Sequence, residues 1–494
     1  MRTRIVSTAS GKKAIQVVSK LYGRVTVHKH IGTFSTPEQK DHLLKEAEKF
    51  ILRTTGQTNF FDLVSSVRPF EIAITQSKPK FLYDFLSAIY DKLGLSSYPD
   101  TLIKDLVIAR LYQPASKLET TEILKDSFGK DYAVKTVYRH LKKGLDRGIK
   151  ESFQKALIDF AKTTLEDTLR LIFYDVTTLY FESQLKTDLK DFGFSKEHRS
   201  TDTQVVIGLV VGKDGFPLYF DVFSGKTFEG HTFIPVIKNI QQLLGSKELV
   251  VIADAAMISR DNIEKLTEEK IGFVVGARVA NLSPKLINSI SEELNKQDDR
   301  IMTTTYQNQK LICQYSSKRA AKDKSDRLKQ VAKAESVVAT PSRVTNRFRF
   351  VKADGQKISL NQDLVTKAEK LEGIKGYLTN TNLPETTIID KYHDLWRIEN
   401  SFRITKSDLE ARPIFHRLEE TIRAHLVIVF AGLAIARYIE IKTNLSIKRV
   451  LKIAGKVLTH KVTNTKTGEV SYVETTIEDP ALNEELELLK LIGH

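Results

Sequence analysis

Cysteine is almost missing: Cys313 is the only one in 494 residues, so no disulfide can form within the chain and a Cys-rich zinc finger is excluded. The 11 histidines include no pair at HExxH spacing, and no GxGxxG or Walker motif follows any strand candidate, so no nucleotide cofactor is expected. Long apolar runs are missing too. The longest, Leu426 to Ala436, is shorter than the about 20 residues needed to cross a bilayer, and no membrane span is expected. The opening MRTRIVSTASGKK has no apolar signal core, which together with the lone thiol leads to the expectation of a reducing, cytoplasmic location. Acidic residues are absent before Glu38, whereas Arg2, Arg4, Lys12, Lys13, Lys20, Arg24 and Lys29 all precede it.

What is present is positive charge: 76 Lys and Arg against 61 Asp and Glu, a formal +15. Such an excess suits a polyanion, and double-stranded DNA leads, with a nucleoid-associated location to match. Within the basic arm, 1–56, YGRVTVHKHIG alternates as a strand and PEQKDHLLKEAEKFIL has the period of a helix. Residues 57–167 read as a helical region. There LETTEILKDSF, Gly129 and AVKTVYRHLKKG have the layout of a helix-turn-helix, Val134, Val137, Tyr138 and Leu141 facing inward and Lys135, Arg139, Lys142 and Lys143 facing out. Two helices joined by a glycine occur in any helical domain, so DNA reading by Lys135 and Arg139 stands beside a purely structural role.

Between 168 and 281 the period changes to that of strands. LRLIFYDV, TQVVIGLVV and FPLYFDVF are followed by a helix, the strand ELVVIAD, a helix capped by Ser259 and the strand IGFVVGARV. The order β-β-β-α-β-α-β describes an α/β fold with a mixed sheet covered by helices. Residues 282–383 read as an insertion that holds a basic helix, SKRAAKDKSDRLKQVAKA, and a hairpin with Arg343, Arg347, Arg349 and Lys352. Residues 384–441 bring one long helix, DKYHDLWRIENSFRITKSDLEA, and an apolar one. The tail, 442–494, suits oligomerisation.

Three acids stand out by position. Asp175 is expected to end the first strand, Asp254 ends VVIAD, and Glu399 lies on the long helix. In a sheet of this order the first and fourth strands are neighbours, so the two aspartates converge and Glu399 packs alongside. Carboxylates without Cys or His make a hard-oxygen site for two Mg²⁺ ions, with Mn²⁺ able to substitute, that can cut a phosphodiester. Taken singly, each acid also suits a cap, a turn or an ion pair. On the long helix Tyr392, Trp396, Glu399, Arg403 and Lys406 fall on one stripe, beside an apolar stripe of Leu395, Ile398, Phe402 and Leu409. Aromatic and cationic groups around a carboxylate are what a distorted nucleic-acid end needs: a stacking platform and phosphate clamps.

This helix resembles the signature of the insertion sequence family four transposases, Y-x2-R-x3-E-x6-K. Tyr392, Glu399 and Lys406 match it, within WRIENSFRITK. Leu395 stands at the Arg position, and Arg397 is the candidate to take over its phosphate contact. GFSKEHRSTDTQVVIGLVV, DGFPLYFDVFSGKTFEGHTF and RPIFHRLEETIRAHLVIVF are similar to a subgroup of the family, and the likeness covers about 90 to 445. The resemblance implies an RNase H-like catalytic domain with a β-rich insertion, and an acidic triad of Asp175, Asp254 and Glu399. It implies cut-and-paste transposition at terminal inverted repeats, strand transfer to target DNA, and a homodimer in the DNA complex. Trp396 resembles the aromatic that holds a flipped base in members that excise through a DNA hairpin; a half-buried core tryptophan is the alternative. A metal-dependent nuclease and a catalytically silent DNA-binding protein derived from a transposase are the competing readings.

Overall fold

The structure, a computed structural model, describes residues 1–8, 11–21, 24–55, 72–167, 169–194, 201–245, 248–257, 259–339, 348–354, 357–412, 414 and 416–493. The chain divides into two compact units, Met1–Leu82 with Ala454–Asn483 and Tyr83–Ile453 with Glu484–His494.

In the first unit the basic arm is a folded sheet. Strands β1 (Arg2–Ser7), β2 (Lys13–Leu21) and β3 (Arg24–Phe34) pair antiparallel in that order. Helix α1 (Pro37–Thr55) brings Leu43, Leu44, Ala47 and Phe50 against Ile15 and Val17, so the period-two face of a strand meets the period-3.6 face of a helix. The basic side chains stay outside: Arg2, Arg4, Lys12, Lys13, Lys20 and Lys29 are all exposed. Strand β4 (Ile72–Lys78) pairs antiparallel with Thr459–Asn464, which pairs in turn with Val470–Glu474. β4 lies in 57–167, the region read as helical, though ahead of its clearly helical part, which starts near 80. Its partner is far away in sequence, which no local period can show.

The second unit begins within helix α2 (Lys80–Lys92) and continues with α3 (Thr101–Tyr112), α4 (Lys117–Ile123), α5 (Val134–Asp146) and α6 (Ile149–Thr163). After α4 a wide turn, Leu124–Phe128, ends on Gly129 at φ 73, the left-handed position where glycine is unstrained. The buried side of α5 is Val137, Leu141 and Gly144. That face excludes Tyr138, which was expected inside but is 39% exposed and meets His416 edge-on at 6.3 Å.

The expected β-β-β-α-β-α-β order follows: β5 (Leu171–Tyr180), β6 (Gln204–Val211), β7 (Pro217–Ser224), α7 (Glu229–Leu244), β8 (Val250–Ala253), α8 (Arg260–Glu268) and β9 (Gly272–Ala277). Ser259 caps α8 by accepting from the Asn262 N–H. Next come α9 (Pro284–Leu294), β10 (Ile301–Tyr306), β11 (Gln309–Tyr315), α10 (Ser317–Ala339), β12 (Val351–Asp354), β13 (Lys357–Leu360), α11 (Gln362–Lys370) and β14 (Ile374–Thr379). The segment 282–383 is therefore not wholly an insertion. β10, β11 and β14 extend the main sheet, whose order is β10-β11-β14-β9-β8-β5-β6-β7. Gln307 and Asn308, both at positive φ, make the two-residue turn that joins β10 to β11. Outside the sheet, α10, α11 and the hairpin β12–β13 close on Ala334, Phe350 and Val365. Of the arginines assigned to that hairpin, Arg343 and Arg347 lie outside the described residues.

β8 runs parallel to β5 and β9; the other pairings in the sheet are antiparallel. α7 covers one face, where Tyr174 bonds Thr232 at 2.6 Å and Asn239 donates to Tyr219 at 3.1 Å. The other face receives α14 (Glu419–Thr443), which follows α12 (Glu385–His393) and α13 (Trp396–Arg403). There Phe430 stacks on Phe220 with ring centres 4.7 Å apart, a contact worth about 1 kcal/mol beyond its area. By length and composition α14 qualifies to cross a membrane, but 89% of its apolar window is buried inside the protein. It is a core helix.

Candidate active site

Asp175 and Asp254 come together through strand register. β5 and β8 pair parallel up to Tyr174↔Ala253, so the next position on each chain carries an aspartate. In-register residues of parallel strands share a face, and their backbones lie about 5 Å apart. Asp175 does not end its strand as expected: β5 continues to Tyr180 because β6 pairs with it all the way along. The end belongs to β8, and β5 runs past it. Each aspartate is pinned by the next backbone amide, Val176 N–H to Asp175 Oδ1 and Ala255 N–H to Asp254 Oδ1, both at 2.7 Å.

The long helix expected around Glu399 is broken. α12 stops at His393, and the turn at Asp394–Leu395 uses i to i+3 bonds, Leu395 N–H to Tyr392 O and Arg397 N–H to Asp394 O, before α13 begins. Past Arg403 the chain widens into a π turn, Ile404–Asp408, that carries Lys406. The tightened turn and the widened one together dissolve the single stripe. Tyr392 is only 5% exposed, and its Oη donates to Asp254 Oδ1 at 3.2 Å. It holds a carboxylate and offers no stacking surface. Trp396 is 54% exposed, with the Arg397 guanidinium 5.2 Å from its ring centre. The apolar stripe is as expected: Leu395, Ile398, Phe402 and Leu409 are buried.

Glu399 is exposed in the first turn of α13, where the helix dipole favours a negative charge. Arg397 turns away from the aspartates: it bonds Asp394 at 3.3 Å, reaches Asp214 at 3.9 Å and packs on Gly215, whose φ of 74 suits glycine. Arg403 bonds Asn400 and Asp408. Lys135 and Arg139 are exposed on α5 and do not line this site.

Sequence reasoning missed Lys375. From β14 its Nζ lies 4.5 Å from the centre of the Tyr392 ring. Burial lowers its pKa, Arg319 lowers it further, and the charges of Asp254 and Glu399 pull it back up. Tyr392 is in turn raised by burial and by the fields of Asp254 and Asp175. Lys375 and Tyr392 thus link all three acids electrostatically. Beside Asp254 and Tyr392 a cleft of about 650 Å³ is lined by Arg278, Arg319, Arg327, Arg349 and Lys375, and also by Asp326 and by Asp323 and Glu372, which pair with Arg319 and Arg327. The basic composition of α10 hinted at this wall; the antiparallel return of β14, which delivers Lys375, did not show in the sequence.

Hard oxygen donors on neighbouring strands fit a divalent cation better than a soft one. Among the described residues, however, no three His, Cys, Asp or Glu side chains stand close enough to hold a metal ion together. Register sets the aspartate pair side by side, and the expected convergence of Glu399 with it into one metal-holding group is not formed. A thiol nucleophile is excluded by position, because Cys313 is buried and its pKa is pushed up to about 12.

Residues 167–435 match a family model described as the transposase DDE domain. No curated relative matches the chain. Among solved structures, it is similar to a cryo-EM structure of a piggyBac transposase synaptic complex with hairpin DNA, at 9% identity and a TM-score of 0.37, over 76% of this chain and 70% of that one.

Proposed function

The chain belongs to the transposase DDE domain family, and from that membership we propose that it is a metal-dependent DNA transposase of the insertion sequence family four kind, built on an RNase H-like core. Its substrates are the terminal inverted repeats of its element and a target DNA, engaged as a homodimer. The observation that carries the reading is the register of β5 and β8, which sets Asp175 beside Asp254 with Tyr392 bonded to the latter.

Asp175, Asp254 and Glu399 are the residues to hold two Mg²⁺ ions, with Mn²⁺ as a substitute. Bound there, such ions supply the Lewis acidity that activates water or a 3′ hydroxyl and steadies the leaving oxygen. The chain does the rest. The Ala255 amide and the Tyr392 hydroxyl fix the Asp254 carboxylate before substrate arrives, so little reorganisation of that side chain is left for the reaction. Lys375 offsets the negative charge of the acids and presents an ammonium to the scissile phosphate. Trp396, exposed three residues before Glu399, offers its indole face to an unstacked terminal base, and Arg397 at its ring, with Arg403 and Lys406 further along the segment, are the phosphate contacts.

The test is nicking of a labelled duplex that carries the element's end. Asp175→Asn should abolish Mg²⁺-dependent cleavage and leave end binding largely intact. Loss of binding with unchanged cleavage per bound complex would contradict the catalytic assignment. A pre-cut end then separates a transposase, which joins it to target, from a nuclease, which does not.

A further inference from the structure

A group of unbalanced charges in the second unit lies away from the acids, where α3, α4 and α14 meet. Lys117 is 6% exposed, and no hydrogen bond or ion pair to its ammonium is formed among the described residues. Arg110, buried next to it, donates among the described residues only to the Ala115 carbonyl, at 2.9 Å. His425 is buried, with its Nδ1 unpartnered and its ring 5.1 Å from that of His416. Glu410 is the carboxylate whose charge acts on Arg110. Among the described residues, two buried cations and two imidazoles thus gather with Glu410 as the one acid acting on them, through Arg110.

An unpaired buried cation is costly, because it forfeits hydration and gains no partner. Its field is also poorly screened, and it reaches whatever opens nearby. What opens nearby is a second cleft of about 650 Å³, with His416 in its wall and Tyr138, Arg139, Lys142 and Arg417 around it. Among the described residues, Lys142 is the one of these that pairs with an acid, Glu420, at 3.3 Å on the exposed rim. Desolvation and the repulsion of Lys117 and Arg110 hold His416 neutral, at about 3, and push Lys117 down to about 7, with Arg110 adding to the effect. Burial is the larger cause of both shifts, and the neighbouring positive charge adds to it.

We propose that the Tyr138–His416 cleft is a phosphate-binding site, whose missing counter-charge is a phosphate group held by Arg139, Arg417 and His416 and drawn in by the field of Lys117 and Arg110 behind them. In the full assembly that phosphate is a DNA backbone phosphate, an assignment that rests on the transposase reading; inorganic phosphate has the same chemistry.

Lys117→Met keeps length and removes the buried charge, so it separates this role from a structural one. In phosphate-free buffer the variant should melt at a higher temperature than the parent, since a cost of folding is gone. Millimolar inorganic phosphate should raise the melting temperature of the parent and leave Lys117→Met and Arg417→Ala nearly unmoved. With a duplex probe, both variants should bind about tenfold more weakly, the equivalent of about 1.4 kcal/mol. A phosphate response without a change in duplex affinity assigns the site to free phosphate. No response to phosphate in the parent, together with parental duplex affinity in both variants, overturns the proposal. So does a lower melting temperature for Lys117→Met, which would make the lysine a structural support. The transposase reading is tested separately by Asp175→Asn, whose cleavage defect does not depend on this cleft.

Discussion

Tyr392→Phe removes one oxygen and leaves the ring in its place against Tyr377, whose centre is 5.0 Å away. The hydroxyl is one of two donors to Asp254 Oδ1, and at 3.2 Å it is the longer, since the Ala255 amide sits at 2.7 Å. A hydrogen bond to a charged group contributes about 1.5 to 3 kcal/mol, and the length puts this one at the low end. If Asp254 must be held in one rotamer during cleavage, about tenfold of rate should go with the hydroxyl, and end binding should not change. Gly276 makes the reasoning sharper. A Cβ at that position would strike the Tyr392 hydroxyl, with the ring carbon beneath it at 3.1 Å and the Ala255 Cβ at 3.4 Å. Gly276→Ala should therefore cost about 1 to 3 kcal/mol of stability and push the ring off Asp254. The double variant should recover much of that stability, because the clashing atom is gone, and keep the rate of Tyr392→Phe alone. The assay is single-turnover nicking of a labelled end, with thermal melting of each variant. Parental cleavage by Tyr392→Phe, or strictly additive losses in the double variant, would show that the hydroxyl neither holds Asp254 nor limits position 276.

Trp396→Ala, at an exposed position, should leave the melting temperature unchanged but slow the step after first-strand nicking, and 2-aminopurine at the terminus should report less unstacking; unchanged fluorescence and kinetics would make it a surface packing residue. Because the basic arm is folded, its role is tested by charge and not by deletion. Arg2, Arg4, Lys12 and Lys20 replaced by Gln should flatten the plot of log affinity against log salt by about 0.9 for each residue that neutralises a phosphate, and an unchanged slope would return the arm to solvent-facing charge. Stability should rise with pH from about 7 towards 10.5, because over that range the unfolded chain binds a proton that Lys117 has lost in the fold. Lys117→Met should remove that part of the slope, and a slope equal to the parent's would rule out Lys117 as its source.

Much of the main sheet was legible because its signals are local. Alternating apolar runs and the cap at Ser259 give β5 to β9 and the neighbouring relation of β5 and β8, and with it the aspartate pair. The failures share a cause. That β5 runs on to Tyr180 depends on β6; that β10, β11 and β14 join the sheet depends on β9, which is distant in sequence. The stripe from Tyr392 to Lys406 assumed one unbroken helix. The break at Asp394–Leu395 turned Tyr392 inward to Asp254 and left Trp396 outside, and the turn at 404–408 shifted Lys406 by a residue. Lys375 had no motif around it, and its place over Tyr392 exists only once β14 has returned beside β9.

Strand transfer tests the central claim most directly. A pre-cut, labelled element end is incubated with a plasmid target and Mg²⁺, using the parent and Asp254→Asn. The account predicts joined product with the parent, none with the variant, and equal binding of the end by both. Joining by Asp254→Asn at the parental rate would contradict it.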